Sequence, residues 1–386
     1  MKYYLSILLI LFSLITLGQE NEKKSHLEIS GMLSGMPSFN FAKINEEWTQ
    51  DFLLHNRFDI EWTYGEWLKI DCGIRNRFIT GDRVKKDASY TKMISKEQGL
   101  LNLTDNWLKK ESFFINSAID RLSAQFTFDK LEVTIGRQRI NWGITSAWNP
   151  NDIFNAYSYF DFDYAKHPGT DAIRIKYYTS FTSVVELAAN IDSNEKVNIA
   201  AYHRLNYKGT DIQMSGGIFK SEDMYFGLGW SGFIGSLGVK GENSIFIPYK
   251  NKDERKTIYV SSLELDYSFT NSLYIIIEGM YNSSLKDVNT SNLLEFFQSS
   301  SLDARRLSFS PISWFASASY PVSPIINASL AGMYFPNING FYIIPSIEIS
   351  LTSSTYLSFI AQTFNGDIEN NNMEMNSLFF RLKTNF

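Results

Sequence analysis

Residues 53–64 read LLHNRFDIEWTY. Leu54, Phe58, Ile60, Trp62 and Tyr64 fall on one parity, and His55, Arg57, Asp59 and Glu61 on the other. A two-residue repeat is the period of a β-strand, whose side chains alternate between faces. One face here is apolar and the other charged. After a turn at 64–66 the pattern resumes, with Leu68, Ile70, Cys72, Ile74 and Phe78 against Lys69, Asp71, Arg75 and Arg77. Later, Leu122, Ala124, Phe126 and Phe128 oppose Arg121, Ser123, Gln125 and Thr127, and Leu263, Leu265 and Tyr267 oppose Ser262, Glu264 and Asp266.

Alternation also marks a soluble antiparallel sheet with one solvated face, so run length and connections must decide. About eighteen runs can be traced, or sixteen if the Gly-rich stretch around 227 and 236 holds fewer, each near the roughly 9–11 residues of a tilted membrane-crossing strand. The connections alternate between long (35–51, 80–111, 143–170) and short (64–66, 129–130, 179–181), and the alternation resumes up to a long connection at 365–374. Short turns at one end and longer loops at the other are the signature of transmembrane barrels. Lipid offers backbone groups no water, so a spanning sheet must close on itself. The expected fold is therefore all-β, a transmembrane antiparallel β-barrel of the outer-membrane type, with both termini on the short-turn side.

Composition agrees with that class. The 386 residues include 30 Phe and 21 Tyr, and the net charge of -5 supplies no basic tail for nucleic acid. The N-terminus, MKYYLSILLILFSLITLGQE, has one Lys, an apolar run and small residues before Gln19, which predicts a signal peptide over 1–18. A single barrel domain is expected over 19–386. Cys72 is the sole cysteine, so no intramolecular disulfide is expected. No metal-ligand spacing and no phosphate-cradling Gly loop occurs, so neither metal nor cofactor is expected; turns account for the Asn and Asp of NPND and NGDIENNN.

The last residues, NSLFFRLKTNF, put Leu378, Phe380, Leu382 and Phe386 on one parity. This end resembles the C-terminal strand of bacterial outer-membrane proteins, although Thr384 stands where that pattern has an aromatic or apolar residue. The resemblance implies that the barrel-insertion machinery reads Phe386. A second resemblance rests on IGRQRINWG, WNPNDIFN and HPGTDAIRIKYY. Gly136, Arg137, Gln138, Trp142, Gly143, Asn149, Pro150, Asp152 and Arg174 are similar to a pattern of porin-like outer-membrane barrels, among them a family of uncharacterised function and the alginate-export type. That resemblance implies a porin or exporter and leaves the solute open.

The segment 143–170 follows this motif and carries Asp152, Asp161 and Asp163 with several aromatics. Loops of this length are commonly functional, and aromatic content argues against disorder. It is expected to fold into the mouth or lumen, with Arg137 and Arg174 holding its carboxylates; the alternative is an aromatic girdle at the interface. Leu131, Val133 and Ile135 make strict parity place Arg137 on the lipid side too, where a charge near mid-bilayer costs about 2–4 kcal/mol. A bulge at Gly136 or a position near the rim would relieve that conflict.

The polar parity of the early strands carries Arg57, Lys69, Arg75, Arg77, Arg121, Arg174, Lys176 and Arg204, and that of later strands Glu264, Asp266, Glu278 and Glu348. With Arg137, Gln138, Asp152, Asp161 and Asp163, these are the candidates for lining a lumen or constriction. Charged rings are how pores discriminate among solutes. The leading expectation is an outer-membrane channel for small to medium polar solutes, anionic or sugar-like ones among them. Two other classes stand beside it. An outer-membrane enzyme would need a base, but His26, His55, His167 and His203 lie in no recognisable catalytic constellation. An assembly or adhesion barrel would need larger loops or a periplasmic domain.

Overall fold

The computed structural model describes residues 25–87, 89–97, 99–156, 169–250, 255–285, 302–369 and 371–386; the expected signal peptide, Asp161 and Asp163 lie outside them. Among the described residues the first strands are β1 (Ser25–Phe41), β2 (Thr49–Tyr64), β3 (Leu68–Gly81), β4 (Thr104–Lys109), β5 (Phe113–Phe128) and β6 (Leu131–Gln138). The middle of the chain supplies β7 (Thr170–Ser180), β8 (Ser183–Ile191), β9 (Val197–Tyr207), β10 (Thr210–Phe219), β11 (Asp223–Ile234), β12 (Leu237–Pro248) and β13 (Ile258–Ser268). The set ends with β14 (Tyr274–Asn282), β15 (Ile312–Ser323), β16 (Ile326–Phe335), β17 (Gly340–Ser350), β18 (Thr355–Ile368) and β19 (Asn371–Asn385). Two short helices, α1 (Asp82–Lys86) and α2 (Tyr90–Ile94), sit between β3 and β4. No helix among the described residues is long and apolar enough to cross a membrane.

Neighbouring strands pair antiparallel, and β19 pairs with β1. The sheet is thus a closed barrel of eighteen strands, with the short β4 as an extra piece. β6 covers β5 only from Leu122 to Phe128, while β4 pairs with the same strand from Phe114 to Ala118. β4 therefore continues the wall beyond the end of β6. Closure is finished by the last residue: Gly31 N donates to Phe386 O at 2.8 Å and Phe386 N to Gly31 O at 3.0 Å. A Cβ at Gly31 would lie 2.6 Å from the Phe386 ring, so glycine is what lets that ring lie over β1 against Phe58.

The parity read from sequence is the parity of the wall. Ile135, Ile173, Leu187, Leu263, Ile277 and Leu330 are each about half exposed on the outside, while charged partners such as Arg57 and Asp120 turn inward. Asp120 does so because β5 has a bulge there: Gly73 faces Arg121 and Ile74 faces Ile119, leaving Asp120 as the extra residue. Inside, the long-loop end on the β8–β18 side is packed solid. Trp142, Trp148, Phe219, Phe246, Phe315 and Phe335 belong to one buried cluster there.

Three expectations need correction. The run centred near 236 falls on the turn between β11 and β12, and the strand itself lies further on, because consecutive Gly-rich segments blur the alternation. The connection expected at 35–51 shrinks to the residues between Phe41 and Thr49, since both strands extend past the apolar part of their pattern. The loop expected at 365–374 is a hairpin in which Ile368 pairs with Asn371; Asn365, Asp367 and Asn372 are strand residues, and the Asn372 amide donates to the other two.

Candidate functional site

β6 ends where Gln138 turns its amide back on the wall, donating to the carbonyls of Thr134 and Ala172. The chain then goes inside. Trp142 is 1 % exposed, stacks on Tyr202 of β9 at 4.9 Å, meets Phe154 edge-on at 5.0 Å, and donates its indole N–H to Glu186 of β8 at 3.1 Å. Trp148, 2 % exposed, packs edge-on against Phe315 of β15. The aromatics of the opening motif thus fill space between the loop and the wall, and Thr145 braces the turn by donating to the Trp148 carbonyl at 2.5 Å.

What holds the segment across the lumen is its main chain. Glu242 of β12 accepts from the backbone N–H groups of Ile144, Thr145 (2.9 Å) and Asn151 (2.9 Å). Glu264 of β13 accepts from Ser146 at 2.6 Å, and Glu278 of β14 from Ala147 at 2.7 Å and Trp148 at 3.0 Å. All three carboxylates are 0 % exposed. With β4 set aside, β6 is fifth in the ring and β12 to β14 eleventh to thirteenth, so the segment reaches nearly to the opposite wall. A carboxylate accepts only, and two or three N–H donors satisfy its lone pairs. Consecutive amides of a tight turn point the same way, as in anion-binding nests. The side chains of Asn151, Ser244 and Tyr225 add a second set of bonds around Pro150.

The other wall carries the bases. A cavity of about 460 Å³ on the β1–β7 side is lined by Arg57, Arg121, Arg139, Arg174 and Lys176, with Glu28, Asp59, Glu61 and Asp71 below and Gln138 and Thr134 beside them. Arg57 bonds Asp59 and Asp120; Arg174 bonds Glu186 at 2.5 Å, and Lys176 bonds Glu132 at 3.3 Å. Lys69 bridges Glu61 and Asp71. Arg204 is exposed to the lumen on β9, and buried Arg75 neighbours Arg57 on β3. Arg77 serves the short helices: it donates to Asn116 and to the Ile94 carbonyl that ends α2.

Several candidates are therefore brought together and several are not. Glu264 and Glu278 are ligands of the loop's amides, and Asp266 pairs with Lys240 at 3.2 Å. Glu348 lies 3.7 Å from Arg381 and accepts from Ser358. Asp152 is fully buried within the inward segment. Arg174 holds Glu186 of the wall; Asp161 and Asp163, the other carboxylates expected for it, lie outside the described residues.

Arg137 departs furthest from expectation. It faces Asp171 across the β6–β7 pair, on the outward parity of Ile135 and Ile173. Its Nε donates to Asp171 at 2.7 Å and its Nη1 to Glu97 at 3.2 Å, while its Nη2 donates to the Leu101 carbonyl at 2.7 Å. Leu101 N in turn donates to Asp171 at 2.8 Å. Glu97 and the strap 99–103 between α2 and β4 therefore lie over the charges, and Arg137 is 5 % exposed. No bulge forms at Gly136: its pairing with β5 and β7 runs without a register shift, although its φ of 114° and a Cβ position 2.3 Å from the Leu122 carbonyl demand glycine. Parity was kept and the charge was covered.

At the long-loop mouth, the described part of the β14–β15 connection is clasped to the β10–β11 turn. Arg305 bonds Asp223 and Asp303 at 2.8 Å each, Lys220 bonds Asp303 at 2.8 Å, and Arg255 joins Asp223 at 2.8 Å. Burial opposes ionisation of Asp303, but the Arg305 hydrogen bonds and the Lys220 charge outweigh it and hold the carboxyl well below the usual carboxylate range. Glu222 is lowered in the same way, against burial, by Lys196 and Arg305.

Glu242, Asp120 and Arg139 were absent from the sequence candidates. Lys240, Glu242 and Ser244 share one parity, and that signal was readable once β12 is set in register. Asp120 sits at a bulge, which alternation cannot anticipate.

Residues 122–276 match a family described as protein of unknown function, DUF1302. No curated protein matches the chain. In fold the chain is similar to the crystal structure of Acinetobacter baumannii OccAB4 (TM-score 0.58, 10 % identity, covering 94 % of this chain and 99 % of that one). OccAB1 of the same organism gives 0.57 at 9 % identity over 93 % and 96 % of the two chains. A BenF-like porin from Pseudomonas fluorescens Pf-5 gives 0.55 at 10 % identity over 93 % and 99 %.

Proposed function

We propose that the protein is an outer-membrane diffusion channel for small polar solutes, with a preference for anions. The observation that carries this reading is the fate of the acidic arc. Glu242, Glu264 and Glu278 are wholly buried under the main chain of the inward segment, so they contribute no open acidic surface, while Arg204 and a cavity lined by five basic and four acidic side chains face the remaining lumen. Fixed charges at close quarters govern which ions pass. The similarity in fold to a BenF-like porin supports a pore over a closed or catalytic barrel. In this reading the long-loop end is extracellular and the short turns are periplasmic. Reconstitution in a planar bilayer under a KCl gradient tests it: a reversal potential on the chloride side is expected, and a barrel that conducts nothing, or prefers potassium, overturns it.

A further inference from the structure

On β15 to β17 the wall carries a different chemistry. Ser319 pairs directly with Ser329, and Ser329 with Ser346. All three point inward, alternating with outward Tyr320, Leu330 and Ile347. Ser329 and Ser346 share a hydrogen bond of 2.6 Å, and Ser319 donates to the exposed Asn327 at 3.4 Å. The one inward charge of these strands, Glu348, is engaged by Arg381 and Ser358. The result is a neutral rail of hydroxyl and amide groups one rung wide and three strands long. None of the three serines is fully buried, and each hydroxyl can donate once and accept twice, so the rail keeps capacity for a passing solute.

Its position gives the rail meaning. β16 is fifteenth in the ring and β7 sixth, half a turn apart among eighteen strands. The rail therefore faces the wall that carries Arg174 and Lys176. We infer that Ser319, Ser329, Ser346 and Asn327 form a second recognition surface, for hydroxyl groups, and that the channel favours a polyhydroxylated carboxylate over an aliphatic carboxylate of equal charge and chain length. A solute narrow enough to be stripped of water on one edge loses hydrogen bonds there, and the rail returns them; its carboxylate follows the basic wall. Serine is small enough to keep this side open while doing so.

This inference rests on the anion-channel reading, and its test separates the two. Bi-ionic reversal potentials give the permeabilities of gluconate and hexanoate relative to chloride, for the wild type and for a Ser319→Ala, Ser329→Ala, Ser346→Ala triple variant. Wild type should pass gluconate about threefold to tenfold better than hexanoate, the range of a net hydrogen bond. The triple variant should lose that preference with unchanged KCl conductance, since alanine keeps the bore. A gluconate preference that is absent in wild type, or that persists in a normally folded variant, overturns the rail. If the pore shows no anion preference, liposome swelling with sorbitol against 1,6-hexanediol reads the same serines without charge: faster sorbitol entry lost in the variant sustains the rail, and equal rates in both proteins overturn it.

Discussion

Glu242 takes three main-chain N–H groups on one carboxylate. Glu242→Ala leaves those donors buried without it, at about 1–3 kcal/mol for each one not rescued by water. The expected outcome is a larger and noisier single-channel conductance in a barrel that still migrates as folded on unheated gels. Native conductance in such a barrel would show that the inward segment does not set the bore. Arg137 predicts the opposite pattern. Arg137→Ala strands Asp171 and Glu97 beside each other, and breaking a buried pair costs about 3–5 kcal/mol. The strap 99–103 should become open to protease added at the long-loop side, and the folded band should convert at lower temperature, with conductance little changed. The sequence points to Arg137 as an anchor for the carboxylates of segment 143–170 because GRQ runs straight into that loop. The structure points to a clasp on the outer wall, because parity continues through Arg137.

The inward segment and the mouth clasp obey different physics. The clasp is ionic and titrates. Asp303 and Glu222 are held below their ordinary pKa values, so their contribution to closure is fully present above the unfolded carboxylate range near ~4 and is lost only as pH falls through the depressed folded values. Hydrogen exchange in 302–311 should stay slow from pH 7 down through pH ~4 and accelerate below it. Lys220→Ala should move that acceleration to higher pH; a profile that the substitution leaves in place would separate the clasp from Asp303. Which strands close the ring was legible in alternation, since parity is a local property of each strand, whereas β4 and the two short helices inside the connection expected at 80–111 are too short to show a period. The Glu ladder was not, because it joins residues about a hundred positions apart through backbone groups that carry no sequence signature. Strand ends were misread for a related reason: once β1 and β18 rise above the apolar band, polar residues appear on both faces although pairing continues.

At the scale of the whole barrel, closure depends on a terminal residue that contributes two backbone bonds and one ring on Phe58. Deleting Phe386 should lower the amount of assembled protein in the membrane fraction, and undiminished assembly would show that the ring over Gly31 is dispensable. The bonds that fix the inward segment have a different reach. Since they are made by peptide groups, the half-buried positions 144 and 146 can change side chain and remain tethered, and buried position 147 accepts a small one, whereas proline cannot donate. Ala147→Pro should therefore widen the pore while Ala147→Ser keeps its conductance. A lineage carrying this scaffold can change the half-buried side chains at 144 and 146, one substitution at a time, without loosening the frame that presents them.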